Sequence, residues 1–182
     1  MTATTSSNVI MTMQTPSREV AKVAEAALTW ALEFCAQKMA LGNSDAVVDC
    51  LRRGDSHVYG YFQYGLAKKV AECLGELDEG IKAVYLYEEE ATPEDAALGT
   101  AKRLPLTHLI IRTHQKTAAL NSLLTGLDRA LAEMLGRLLG YPQFSHALDC
   151  QVVEDIEVES RTGFGALLSS LHHRPLEVWK RA

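Results

Sequence analysis

The sequence predicts an α/β fold: a mixed sheet of about four strands packed with helices, preceded by a helical N-terminal segment. Three observations point there. Short β-branched and aromatic runs alternate with longer stretches in which apolar residues recur every three or four positions, the separate signatures of strand and helix. The chain has 182 residues and a mass of 20.0 kDa, enough to build one hydrophobic core. Apolar residues make up 47% and charged residues 23%, which excludes a wholly disordered, collagenous or membrane-embedded chain.

Residues 1–14 read as a flexible polar tail and residues 15–75 as the helical segment. Thr15 supplies a cap and Pro16 suits a first helical position. Val20, Val23, Ala24, Ala27, Leu28, Ala31, Phe34 and Cys35 then form one helical face, up to a stop at Gly42. Asn43-Ser44 caps a second helix carrying Ala46, Val47, Cys50 and Leu51 and ending at Gly54. Asp55-Ser56 opens a third, with Val58, Tyr61, Phe62, Leu66, Val70, Cys73 and Leu74 as its buried stripe and Gly75 as its close.

Residues 76–182 read as the α/β domain. Ile81 to Tyr87 is a β-branched and aromatic run bounded by Gly80, and so a central strand. Glu88-Glu89-Glu90 ends it, Thr92-Pro93-Glu94-Asp95 carries the signals of a brief helical turn, and the rest to Leu104 reads as loop. Leu106 to Arg112 is the second strand, with Pro105 tolerable just before it. A long helix from Gln115 to Leu139 follows, ended by Gly140 and Pro142. Leu148 to Glu154 is a third strand, about Gly163 to His172 a further helix, and Leu176 to Trp179 a short last strand.

With 18 basic against 23 acidic residues, net charge −5 and pI about 5.7, nothing drives the chain as a whole toward nucleic acid or anionic lipid. Arg52-Arg53 and Lys68-Lys69 lack interleaved aromatics, so nucleic acid is not an expected partner. Cys35, Cys50, Cys73 and Cys150 are too far apart in sequence for a zinc knuckle or redox motif and read as reduced thiols. No basic, apolar leader opens the chain and no stretch of ~20 apolar residues occurs, so a cytoplasmic protein that does not enter the membrane is expected. Phosphate loops, dinucleotide fingerprints, nucleophile elbows and zincin motifs are missing.

Val84-Tyr85-Leu86-Tyr87 leads through Glu88-Glu89-Glu90 and Ala91-Thr92-Pro93-Glu94-Asp95 to the strand Leu106 to Ile111. Leu148 to Val153 follows the long helix, and Arg174 to Arg181 closes the chain. This order resembles the nucleotidyltransferase-like superfamily, in particular the small bacterial minimal nucleotidyltransferases. The resemblance implies a Gly-Ser turn after the first strand, an Asp-x-Asp pair opening the second and a carboxylate on the third. Such a site binds a triphosphate on glycine amides and magnesium on the aspartates. Here Glu88 and Glu89 stand at the Gly-Ser turn, Leu106 and His108 at the Asp-x-Asp positions, and Asp149 alone retains its carboxylate. Like charges ~4 Å apart repel by about 4 kcal/mol at an effective dielectric of ~20, so two glutamates beside a triphosphate oppose its binding.

The expectation is a catalytically degenerate nucleotidyltransferase-like protein, acting as a binding or protein-interaction module and needing no cofactor. The alternative is an active enzyme with rearranged carboxylates, in which Glu88, Glu89 and Asp149, with His108 beside them, hold magnesium. For Glu88 to Glu90 the two readings are a solvated strand end and a metal-holding cluster at the strand ends. For His108 they are a ring satisfied by a neighbouring carbonyl and a ligand. Arg161-Thr162-Gly163-Phe164-Gly165 reads either as a flexible turn or as a source of amides for an anion, and His172-His173 as a helix-end pair. The leucine stripe of the long helix, and a second stripe with Trp30 on the first, raise a homodimer through helix faces.

Overall fold

A computed structural model describes residues 17–87, 106–141, 144–172 and 174–182. Three helices come first: α1 (Arg18–Lys38), α2 (Ser44–Arg53) and α3 (Ser56–Leu77). Then follow β1 (Ile81–Leu86), β2 (Thr107–Thr113), α4 (Ala118–Leu139), β3 (Leu148–Glu154), the short α5 (Asp155–Glu159) and α6 (Gly165–Leu168), and β4 (Leu176–Lys180). The expected tail and the helical turn at Thr92 to Asp95 lie outside the described residues.

Local chemistry sets the helix ends. Ser17, Asn43, Asp55 and Thr117 each accept a backbone N–H of the first turn with a side-chain oxygen. Gly54 and Gly140 take the left-handed conformation at φ 77° and close α2 and α4. Gly75 does not close α3, contrary to the sequence reading; the helix runs on to Leu77. Its hydrogen side chain is instead where the Trp179 ring of β4 rests, and a Cβ there would overlap that ring. Tyr61, placed by its spacing in the buried stripe, is 44% exposed.

The four strands form one mixed sheet in the order β3-β2-β1-β4. β1 pairs antiparallel with both β2 and β4, and β2 pairs parallel with β3 across the long α4 crossover. A bulge at Lys82 lets Ile81 and Val84 turn to the same side of the sheet, which strict alternation would forbid. That side packs against the helices in a single apolar core with Leu28, Phe62, Leu66, Leu74, Leu109, Ile111, Leu127 and Leu131. Each such side chain contributes about 1.5–3 kcal/mol by leaving water.

The other side of the sheet is covered only in part. Ala83, Tyr85, Ile110 and Val153 meet Tyr87, Val158, Phe164, Leu167 and Leu168 there. The helix expected from Gly163 to His172 is in fact a single turn at α6, and α5 begins directly at the end of β3. A capping box joins Glu154 and Glu157 and starts α5 early, a signal the sequence reading passed over. Among the described residues no helix is long and apolar enough to cross a membrane.

Candidate functional site

Three strand ends meet at one end of the sheet. β1 finishes there in Leu86 and Tyr87, while β2 and β3 start there at Thr107 and Leu148. Alternation along β2 puts His108, Ile110 and Arg112 on the partly covered side. On β3 it does the same for Asp149, Gln151 and Val153. His108 and Asp149 lie directly opposite each other in the parallel register.

Their side chains meet. His108 Nδ1 lies 3.1 Å from Asp149 Oδ2, and Gln151 donates from Nε2 to Asp149 Oδ1 at 3.0 Å. The Tyr87 backbone N–H donates to the His108 carbonyl at 3.1 Å. The Tyr87 ring stands tilted against the imidazole at 5.3 Å and against Phe164 at 6.0 Å. The imidazole is 15% exposed and the carboxylate 37%, so the pair sits at the rim of the covered area and within reach of solvent. Leu106, just before β2, contributes its carbonyl, which accepts from Tyr59 Oη and Gln63 Nε2.

Two of the four candidate residues, His108 and Asp149, are thus brought together, and Glu88 and Glu89 lie outside the described residues. The ligand reading set His108 beside Asp149 around a shared metal; the two side chains in fact meet directly. Among the described residues no group of three or more His, Cys, Asp or Glu side chains is placed to hold a metal. Among the described residues the groups facing Asp149 are not magnesium ligands, since imidazole and amide nitrogen suit so hard a cation poorly.

The sequence reading passed over Tyr87, Gln151 and Phe164 as site residues. Period-two counting from Asp149 reaches Gln151; nothing local marks Phe164, which arrives from a loop beyond α5. Cys150 does not add a nucleophile, because burial, with the charges of Asp128 and Asp149, pushes its thiol up to about 12. Burial likewise raises Cys35, to about 11, and Cys73.

The remaining motifs have structural work. Gly163 turns the chain at φ 51°, and Gly165 lets its segment approach the Glu157 backbone. α6 is a single turn that ends at Leu168, and His172, past its end, is exposed. Arg52 donates from Nη2 to the Leu138 carbonyl at 2.6 Å, and Lys69 pairs with Glu72.

At the far end of the sheet Asp155 bonds both Lys82 and Arg112, the latter at 2.8 Å from Nε, and His114 Nδ1 lies 3.6 Å away. Asp155 follows Asp149 by six positions, about 20 Å at the strand rise. Compared with protein-family models, curated proteins and solved structures, the chain matches none.

Proposed function

We propose that the chain is a nucleotidyltransferase-like protein that no longer transfers nucleotides and acts as a binding or protein-interaction module. One observation carries this reading: both oxygens of Asp149 are engaged by His108 and Gln151, where a magnesium-dependent transferase needs an open carboxylate. Leu171 and Leu176, 95% and 54% exposed on the stretch leading into β4, support the interaction role, since Leu176 pairs with Leu86 at the same end of the sheet.

The test is thermal unfolding and pyrophosphate release with magnesium or manganese and each nucleoside triphosphate. No metal-dependent shift and no pyrophosphate are expected. A rise of several degrees that Asp149→Ala abolishes would reverse the assignment. It would favour the alternative, in which Glu88, Glu89 and Asp149 hold the metal while an acceptor hydroxyl attacks the α-phosphate and pyrophosphate leaves.

A homodimer through helix faces belongs to the same proposal. Its support is the half-buried aromatic group on α1 and α3, where Trp30 stacks on Phe34 at 5.1 Å and Phe34 meets Tyr64 at 5.7 Å. Light scattering after size exclusion tests it; a monomer at high micromolar concentration removes it. A cytoplasmic location is likewise proposed, supported by four free cysteines, two of them buried and two half-buried.

A further inference from the structure

Asp128 lies in the middle of α4, where an aspartate is a poor helix former. Its carboxylate is only 16% exposed and fully used. Oδ1 accepts the backbone N–H groups of Ala147 and Leu148 at 2.8 and 2.9 Å, and Oδ2 lies 2.8 Å from His146 Nδ1. Ala147 in turn accepts the Thr107 N–H at 2.9 Å through its carbonyl. One carboxylate therefore holds the residues immediately before Asp149 and, through Ala147, the residue immediately before His108. Two amide bonds to a charged acceptor are strong enough to fix where both strands begin.

We propose that Asp128 is a positioning residue that sets the approach of the His108 and Asp149 side chains. A one-residue slip of β3 would turn Asp149 to the opposite side of the sheet. Even a small rotation of the Ala147-Leu148 peptide would lengthen the bond to His108. This inference rests on the His108–Asp149 contact that carries the proposed function. Its readout needs no ligand, so it can fail while the nucleotide test stands, or stand while that test fails.

The experiment is a long-range proton–nitrogen correlation spectrum of the histidine rings in the full ¹⁵N-labelled chain, with His108 assigned by His108→Gln. Asp149→Asn displaces the His108 Nδ1 resonance by removing the charged partner. Asp128→Asn is expected to displace the same resonance by at least half as much. Thr117→Ala removes the cap of the same helix and is expected to leave it in place. An unmoved resonance in Asp128→Asn, with stability lowered as in Thr117→Ala, would show that Asp128 anchors only its own loop and would overturn the proposal.

If Asp128→Asn does not fold, Asp128→Glu keeps the charge, moves the carboxylate by one methylene and is read by the same criterion. Amide exchange in the unaltered chain is a second check. Ala147 and Leu148 are expected to be as protected as Leu109 and Gln151 in the β2-β3 ladder. Exchange at loop rates would overturn the proposal without any variant.

Discussion

The two ends of the sheet are built on different terms. At the end where β2, β3 and β4 finish, ion pairs and hydrogen bonds tie the strands together. Asp155 ties β1 to β2 through Lys82 and Arg112, and the Thr113 hydroxyl donates to the Gly80 carbonyl. The Arg181 guanidinium donates to the carbonyls of Gly75, Asp78 and Ile81. At the other end Thr107 buries a hydroxyl without any hydrogen bond among the described residues, and Asp149 stays partly in water beside His108. Ion pairs and carbonyl-bound guanidinium tie the first end, while the second leaves a buried hydroxyl over and a polar pair in reach of solvent. Such groups are what a binding site is made from.

The comparison can be broken most forcefully at Gly75. Gly75→Ala drives a methyl into the Trp179 ring, and overpacking of this kind costs about 1–3 kcal/mol, read by urea unfolding. Asp155→Asn is expected to cost about 1–2 kcal/mol at neutral pH, since its partners are half exposed and screened by solvent. The Lys82 ammonium, then the Arg112 guanidinium, hold the Asp155 carboxyl at about 2, below its ordinary 3.8. A lowered folded-state value means that the contribution is complete above the unfolded value and is lost as pH falls through about 4 toward 2. The gap in melting temperature between the unaltered chain and Asp155→Asn should therefore close across that window. A gap that stays constant would deny the ion pairs their role.

The two buried threonines of β2 sharpen the contrast. Thr113→Val removes a donor to the Gly80 carbonyl and is expected to cost about 1 kcal/mol. Thr107→Val removes a hydroxyl that has no partner among the described residues, and is expected to be neutral or stabilising by up to about 1 kcal/mol. Equal losses in both would mean that the two ends do not differ. The smallest effect is expected at the candidate site itself: His108→Gln should change unfolding stability by less than about 0.5 kcal/mol, as for a partly exposed pair.

Legibility in the sequence followed the range of the interactions. β3 was readable to the residue, Leu148 to Glu154. α4 ended at Gly140 as expected, because a left-handed cap is a local event. The segment from Gly163 to His172 misled, since Phe164, Leu167, Leu168 and Leu171 have helical spacing. Three of these side chains pack on the sheet and Leu171 stands in water, so only one turn forms. Gly75 misled for the converse reason: a distant Trp179 needed its space, and no neighbour in sequence reports that.

Periods, caps and breaks thus determined the elements and the α/β class, because turns and amphipathic faces depend on residues within a few positions. His108 and Asp149 were marked as candidates by the resemblance to the nucleotidyltransferase-like superfamily. Only the tertiary structure decided that the two touch, that Gln151 occupies the second carboxylate oxygen, and that Asp128 holds the start of β3. Those contacts join residues 2 to 41 positions apart, most of them across strands or from helix to strand. Strand register and chain crossing set such contacts, and no local pattern encodes either.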